Sequence, residues 1–118
     1  MDWWKILIIG IYKVINDIFS DMLKKYGYQY SYKLKSNIHP SIVYKYKNYK
    51  LQIGFNYENC TPFAIFWGND SFTCPSYIEA NASSSIKKKL QIFCNQIDFC
   101  LESNQEKERN NTGDGSLC

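Results

Sequence analysis

Apolar and polar residues alternate from Tyr28 to Lys35, and again from Tyr49 to Tyr57. Period two marks a strand with one buried face, because successive side chains point to opposite sides. Between these runs, Ile42, Tyr44 and Tyr46 are followed by Tyr49, Leu51 and Ile53. A two-residue turn at Lys47-Asn48 pairs Tyr46 with Tyr49, Tyr44 with Leu51 and Ile42 with Ile53, so all six share a face. The same register sets Lys45 opposite Lys50 on the other face, where opposed like charges cost roughly 0.2–1 kcal/mol. The pattern predicts strands at 28–35, 41–47 and 49–57. A fourth is expected through Phe63–Trp67, entered after Pro62 and closed by Gly68-Asn69-Asp70. Its phase is taken from Phe63, Ile65 and Trp67 on the apolar face, which sets Phe66 on the lysine side.

A helical period flanks the strands. Trp4, Ile8, Ile11, Ile15, Ile18 and Met22 recur at alternating spacings of four and three, which predicts a helix over Trp3–Tyr26. Lys13, Asn16, Asp17, Ser20, Asp21 and Lys24 fall on its opposite side. Asp2 is the candidate N-cap and Gly27 the stop. Ser83-Ser84-Ser85 offers the cap of a second helix, whose stripe is Ile86, Leu90, Phe93, Ile97 and Cys100/Leu101. The expected fold is α+β: an N-terminal helix, a four-stranded antiparallel sheet and a C-terminal helix, both helices on one sheet face. Residues 1–102 form the single domain, and the polar stretch 103–118, with Gly113 and Gly115, is expected to be a disordered tail.

Composition strengthens the core and narrows the chemistry. Seven Phe, ten Tyr and three Trp in 118 residues supply much apolar area. Net charge is only +3, but seven lysines and no acid lie between Lys24 and Tyr57, while from Glu58 to the end there are eight acids and five basic residues. The apolar run Ile6–Tyr12 is shorter than the ~20 residues a bilayer span needs. Five cysteines without a Cys-x-x-Cys pair read as free thiols, and with no secretory pattern at the start the expected location is cytoplasmic. Cys94 and Cys100 are expected to be packed and inert, Cys60 and Cys74 to lie in loops, and Cys118 to be the most reactive. His39 is the single histidine and stands in a turn before Pro40. There is no phosphate-binding glycine loop, and Asp17 and Asp21, one turn apart on the first helix, could hold a cation only with more ligands, so nothing reads as an acid–base dyad or a metal cage. No catalytic residue, metal or cofactor is therefore expected, and the protein is read as a binding module rather than an enzyme.

The candidate binding residues are Lys33, Lys35, Lys45, Lys47 and Lys50, with Phe66 as an aromatic among them. A lysine face of this kind suits docking on a protein with an acidic surface. In size, layout and lack of catalytic residues the chain resembles small bacterial immunity proteins and phage-encoded inhibitors of host defences. That resemblance implies an inhibitory role but carries over no site residue. The alternative is a nucleic-acid backbone on the same face, against which stands the single arginine, Arg109. A membrane surface or a homodimer contacting the first helix through Trp3, Trp4 and its isoleucines are the remaining partners considered.

Overall fold

The computed structural model describes residues 3–68, 75–77 and 85–117, with side chains described from Gly10 to Asn104 within those segments. Six elements follow one another: α1 Trp3–Lys25, β1 Gln29–Leu34, β2 Ser41–Tyr46, β3 Tyr49–Asn56, β4 Thr61–Trp67 and α2 Ile86–Leu117. The strands form one antiparallel sheet in the order β1-β2-β3-β4, so each strand pairs with its neighbour in sequence. α1 packs on β1, β2 and β3, α2 packs on β4, and the two helices pack on each other. This is the α+β plan that the alternating and helical periods predict.

The central hairpin has the expected register. Ile42 pairs with Ile53, Tyr44 with Leu51, Lys45 with Lys50 and Tyr46 with Tyr49. Of the two turn residues it is Lys47, not Asn48, that takes the positive φ, at 54°. Ile42, Tyr44, Leu51, Ile53 and Phe55 are buried beneath the helices, in one cluster with Ile15, Phe19, Leu23, Leu90, Phe93 and Ile97.

Local signals fix the helix ends. At Gly27 (φ +88°) α1 closes in a Schellman motif: Tyr28 N–H donates to the Leu23 carbonyl at 3.0 Å and Gly27 N–H to that of Lys24 at 3.0 Å. A Cβ at Gly27 would also strike the Tyr46 ring at 2.7 Å. Ser85 caps α2, its hydroxyl accepting from Lys88 N–H at 3.2 Å. The proposed caps at Asp2, Ser83 and Ser84 lie outside the described residues, as do the side chains of Trp3, Trp4 and Ile8.

Three expectations are corrected. The buried side of α1 is broader than its isoleucine stripe: Tyr12, Phe19, Leu23 and, just past its end, Tyr26 are buried. Asn16, placed on the polar side, turns to the sheet and accepts from Tyr44 Oη at 3.0 Å. At the start of α2, Ile86 is exposed and Cys94 takes its place in the core stripe. α2 itself continues past Ser103 as far as Leu117. Gln105-Glu106-Lys107-Glu108-Arg109 are all strong helix formers, and extending a helix already anchored by Leu90–Leu101 avoids the cost of nucleation.

Candidate functional site

With both helices on one side, no described element covers the other face of the sheet. Cross-strand pairing arranges it in three rows. Gln29, Lys45, Lys50 and Trp67 form the first, and Tyr32, Val43, Gln52 and Ile65 the second. Leu34, Ser41, Gly54 and Phe63 form the third. Tyr32, Leu34, Ile65 and Trp67 are large and exposed, Trp67 to 52%. None of the twelve is acidic.

The third row is flat because of Gly54. A Cβ there would lie 2.5 Å from Phe63 Cζ and 2.7 Å from the Pro40 carbonyl oxygen. Phe63 therefore lies down on the backbone of β3, with the His39 ring edge-on at 6.3 Å. In the same row Ser41 is fully buried, its hydroxyl accepting from Gln52 Nε2 at 2.9 Å. In the first row Lys45 and Lys50 are both exposed and directly opposed. Lys45 Nζ stands 5.8 Å from the centroid of the Tyr32 ring, a cation–π contact that holds the ammonium over the open face.

Of the candidate binding residues, only Lys45 and Lys50 belong to this face. Lys33 is displaced by a β-bulge between Tyr30 and Tyr32. The bulge inverts the later half of β1, so Tyr32 and Leu34 join the open face while Lys33, opposite Ile42, joins the helix side. There its ammonium stands 5.3 Å from the centroid of the Tyr12 ring. Lys35 is exposed just past the end of β1. Lys47 sits in the turn, its ammonium 5.0 Å from the centroid of Tyr46, an aromatic of the helix side.

Phe66 is on the opposite face from the one expected. It pairs with Leu51, packs against the core and stacks on Tyr49 with centroids 5.6 Å apart. With Tyr28, just before β1, Tyr46 and Tyr49 it completes an aromatic row that runs to β4 beneath the helices. The physical reason is pairing: once Leu51 is buried, the residue opposite it is buried too. Ile65 and Trp67 thereby fall on the open face. The aromatics this face offers a partner are Tyr32, Phe63 and Trp67. The signal for Phe63 is Gly54, a strand-interior glycine that leaves room for a ring to lie against the backbone.

The titratable groups elsewhere serve the fold. Tyr26 Oη donates to the Asp98 carboxylate, and Lys25 reaches the same group at 3.2 Å, which ties the end of α1 to α2. The Tyr26 hydrogen bond is the main influence holding the Asp98 carboxyl below its ordinary pKa. Burial pushes the Cys94 thiol up to about 11, and Sγ donates to the Ile18 carbonyl at 3.5 Å. Burial also raises the half-buried Cys100 thiol. Cys60 is exposed at a positive φ of 55°, and Lys89 donates to its carbonyl. Cys74 and Cys118 lie outside the described residues. Among the described residues, no three His, Cys, Asp or Glu side chains gather as a metal site. No helix of the described residues is long and apolar enough to cross a membrane. Comparison of the chain with protein-family models, curated proteins and solved structures returned no match.

Proposed function

We propose that the protein is a non-catalytic binding domain that docks on another protein through the open sheet face, and that its role is inhibitory. The observation that carries this reading is the composition of that face. Exposed Tyr32, Leu34, Ile65 and Trp67 share the face with two opposed lysines, with no acid in the three rows. Aromatic anchors of this kind dominate binding energy at protein interfaces, while charges set the choice of partner. The partner surface is accordingly apolar with one or more carboxylates placed to meet Lys45 and Lys50. An immunity-type or phage-encoded inhibitor is the role that a small, rigid binding domain of this design suits best.

Nucleic acid is the second reading, favoured by the adjacency of Trp67 to Lys50 across β3 and β4. Stacking on Trp67 and Tyr32 with phosphates on the lysines is the usual single-strand mode. The exposed aliphatic groups Leu34 and Ile65 on the same face favour protein instead.

Capture from an extract of the source cells separates the two, using wild type, the Lys50→Glu/Trp67→Ala variant and a Lys87→Glu/Lys88→Glu control. A protein kept by wild type and control but lost from the open-face variant supports docking there. Equal retention by all three refutes it. Recovery of nucleic acid, with log affinity falling against log salt by about 0.7–0.9 per phosphate contact, establishes the second reading.

A further inference from the structure

We infer that the cleft between α1 and the edge strand β1 binds a small organic anion with an aromatic body. The cleft has a volume of about 430 Å³ and is lined by Tyr12, Lys13 and Asn16 from α1, Tyr30 and Lys33 from β1, and Ile42 from β2. That volume lies within the ~300–1,000 Å³ usual for small-molecule sites. It is on the helix side of the sheet, separate from the open face.

The bulge in β1 builds this site. In regular alternation Tyr30 and Lys33 would point to opposite faces. The extra residue between Tyr30 and Tyr32 brings both to the helix side, and re-aiming a side chain is a recurrent use of bulges. One strand thus supplies an aromatic wall and an ammonium group to the same cleft. Tyr30 is 51% exposed and braced edge-on against Tyr44, with centroids 6.4 Å apart.

The polar groups are oriented as donors. Asn16 Oδ1 is occupied by the Tyr44 hydroxyl at 3.0 Å, which leaves the Asn16 amide nitrogen with its hydrogens to offer. Burial raises the Tyr44 phenol above its ordinary pKa, so it remains the donor of that pair. The Tyr12 hydroxyl is likewise spent, donating to the Leu34 carbonyl at 3.1 Å. None of the lining residues is acidic, and the nearby Asp17 is neutralised by Lys13 at 2.9 Å. Lys33, whose ammonium stands 5.3 Å from the Tyr12 centroid, and the Asn16 amide therefore line the cleft as its donors, beside the ring of Tyr30. An oxyanion answers the donors and an aromatic ring answers Tyr30, so the ligand class is an aromatic carboxylate or phosphate ester.

The test is an NMR titration with benzoate, phenyl phosphate, benzyl alcohol and inorganic phosphate. The aromatic anions are expected to give saturable shifts at Tyr30, Lys33, Asn16 and Ile42. Benzyl alcohol and inorganic phosphate are each expected to bind about tenfold more weakly, and Lys33→Gln to weaken the aromatic anions by about tenfold, the loss of one charge-assisted hydrogen bond. Lys50→Gln is expected to change nothing here. Tighter binding of benzoate identifies a carboxylate ligand, and tighter phenyl phosphate a phosphate ester. Benzyl alcohol or inorganic phosphate binding as tightly as the aromatic anions would overturn the inference. So would unchanged affinity in Lys33→Gln, or no saturable shift at millimolar concentrations. Lys33 is exposed, so its replacement leaves the fold intact for the comparison.

Discussion

Gly54→Ala tests whether Phe63 lies flat on the open face. The added Cβ would stand 2.5 and 2.7 Å from Phe63 Cζ and Cε1, against an ordinary contact of 3.4 Å or more. The ring must rise by about 1 Å to restore ordinary contact. On a third side is the Pro40 carbonyl oxygen at 2.7 Å, which is held by the Phe55 N–H at 3.1 Å and cannot yield without disturbing that hydrogen bond. Overpacking of this kind costs about 1–3 kcal/mol. In a domain of about 100 residues each kcal/mol lowers Tm by roughly 4–8 °C. Urea unfolding of wild type, Gly54→Ala, Phe63→Ala and the double variant gives the cycle. Removing the ring relieves part of the clash, so the double variant should be less destabilised than the sum of the singles, by at least about 0.5 kcal/mol. A Gly54→Ala cost below about 0.5 kcal/mol, or strict additivity, would refute the packing of Phe63 on β3.

Phe66→Ala should destabilise the protein by about 1–3 kcal/mol, since the ring is half-buried against Tyr49 and the core, whereas Trp67→Ala should stay within about 0.5 kcal/mol; the reverse order in urea unfolding would place Phe66 outside. Tyr26→Phe should cost about 1–2 kcal/mol at neutral pH by removing the bond to Asp98. Because the folded Asp98 pKa is lowered, its contribution is present above the unfolded value of about 3.9 and lost as pH falls through the folded value. The difference between wild type and Tyr26→Phe should therefore shrink on acidification, and a difference that grows in acid would contradict the lock. Lys50→Gln should raise stability by about 0.2–1 kcal/mol in low salt, by relieving its opposition to Lys45. That gain should fade in high salt, and a loss of stability would show that the pair is compensated.

The central hairpin was legible because two constraints agree there. Its arms alternate in phase, and a two-residue turn leaves one register that buries Ile42, Tyr44, Leu51 and Ile53 together. β4 was legible as a strand but not in phase, since Phe63, Ile65 and Trp67 outweigh Ala64 and Phe66 as an apolar set. Its facing is decided by the strand it pairs with: Leu51 and Ile53 bury Phe66 and Ala64 opposite them. β1 misled for a related reason. Its alternation from Tyr28 to Lys35 is strict, but an edge strand exposes both faces, so register is weakly specified and a bulge costs little. Lysine alternation therefore described a five-lysine platform, whereas the folded chain retains the Lys45–Lys50 pair and fills the rest of the open face with Tyr32, Leu34, Ile65 and Trp67.

The most direct test of docking on the open face is a lysine-acetylation footprint of the protein alone and bound to its captured partner. Lys45 and Lys50 should lose reactivity on binding, while Lys87 and Lys88, exposed at the start of α2, should keep theirs. Unchanged labelling of Lys45 and Lys50, with protection falling on Lys87 and Lys88 instead, would move the interface to the helices and leave the open face without a role.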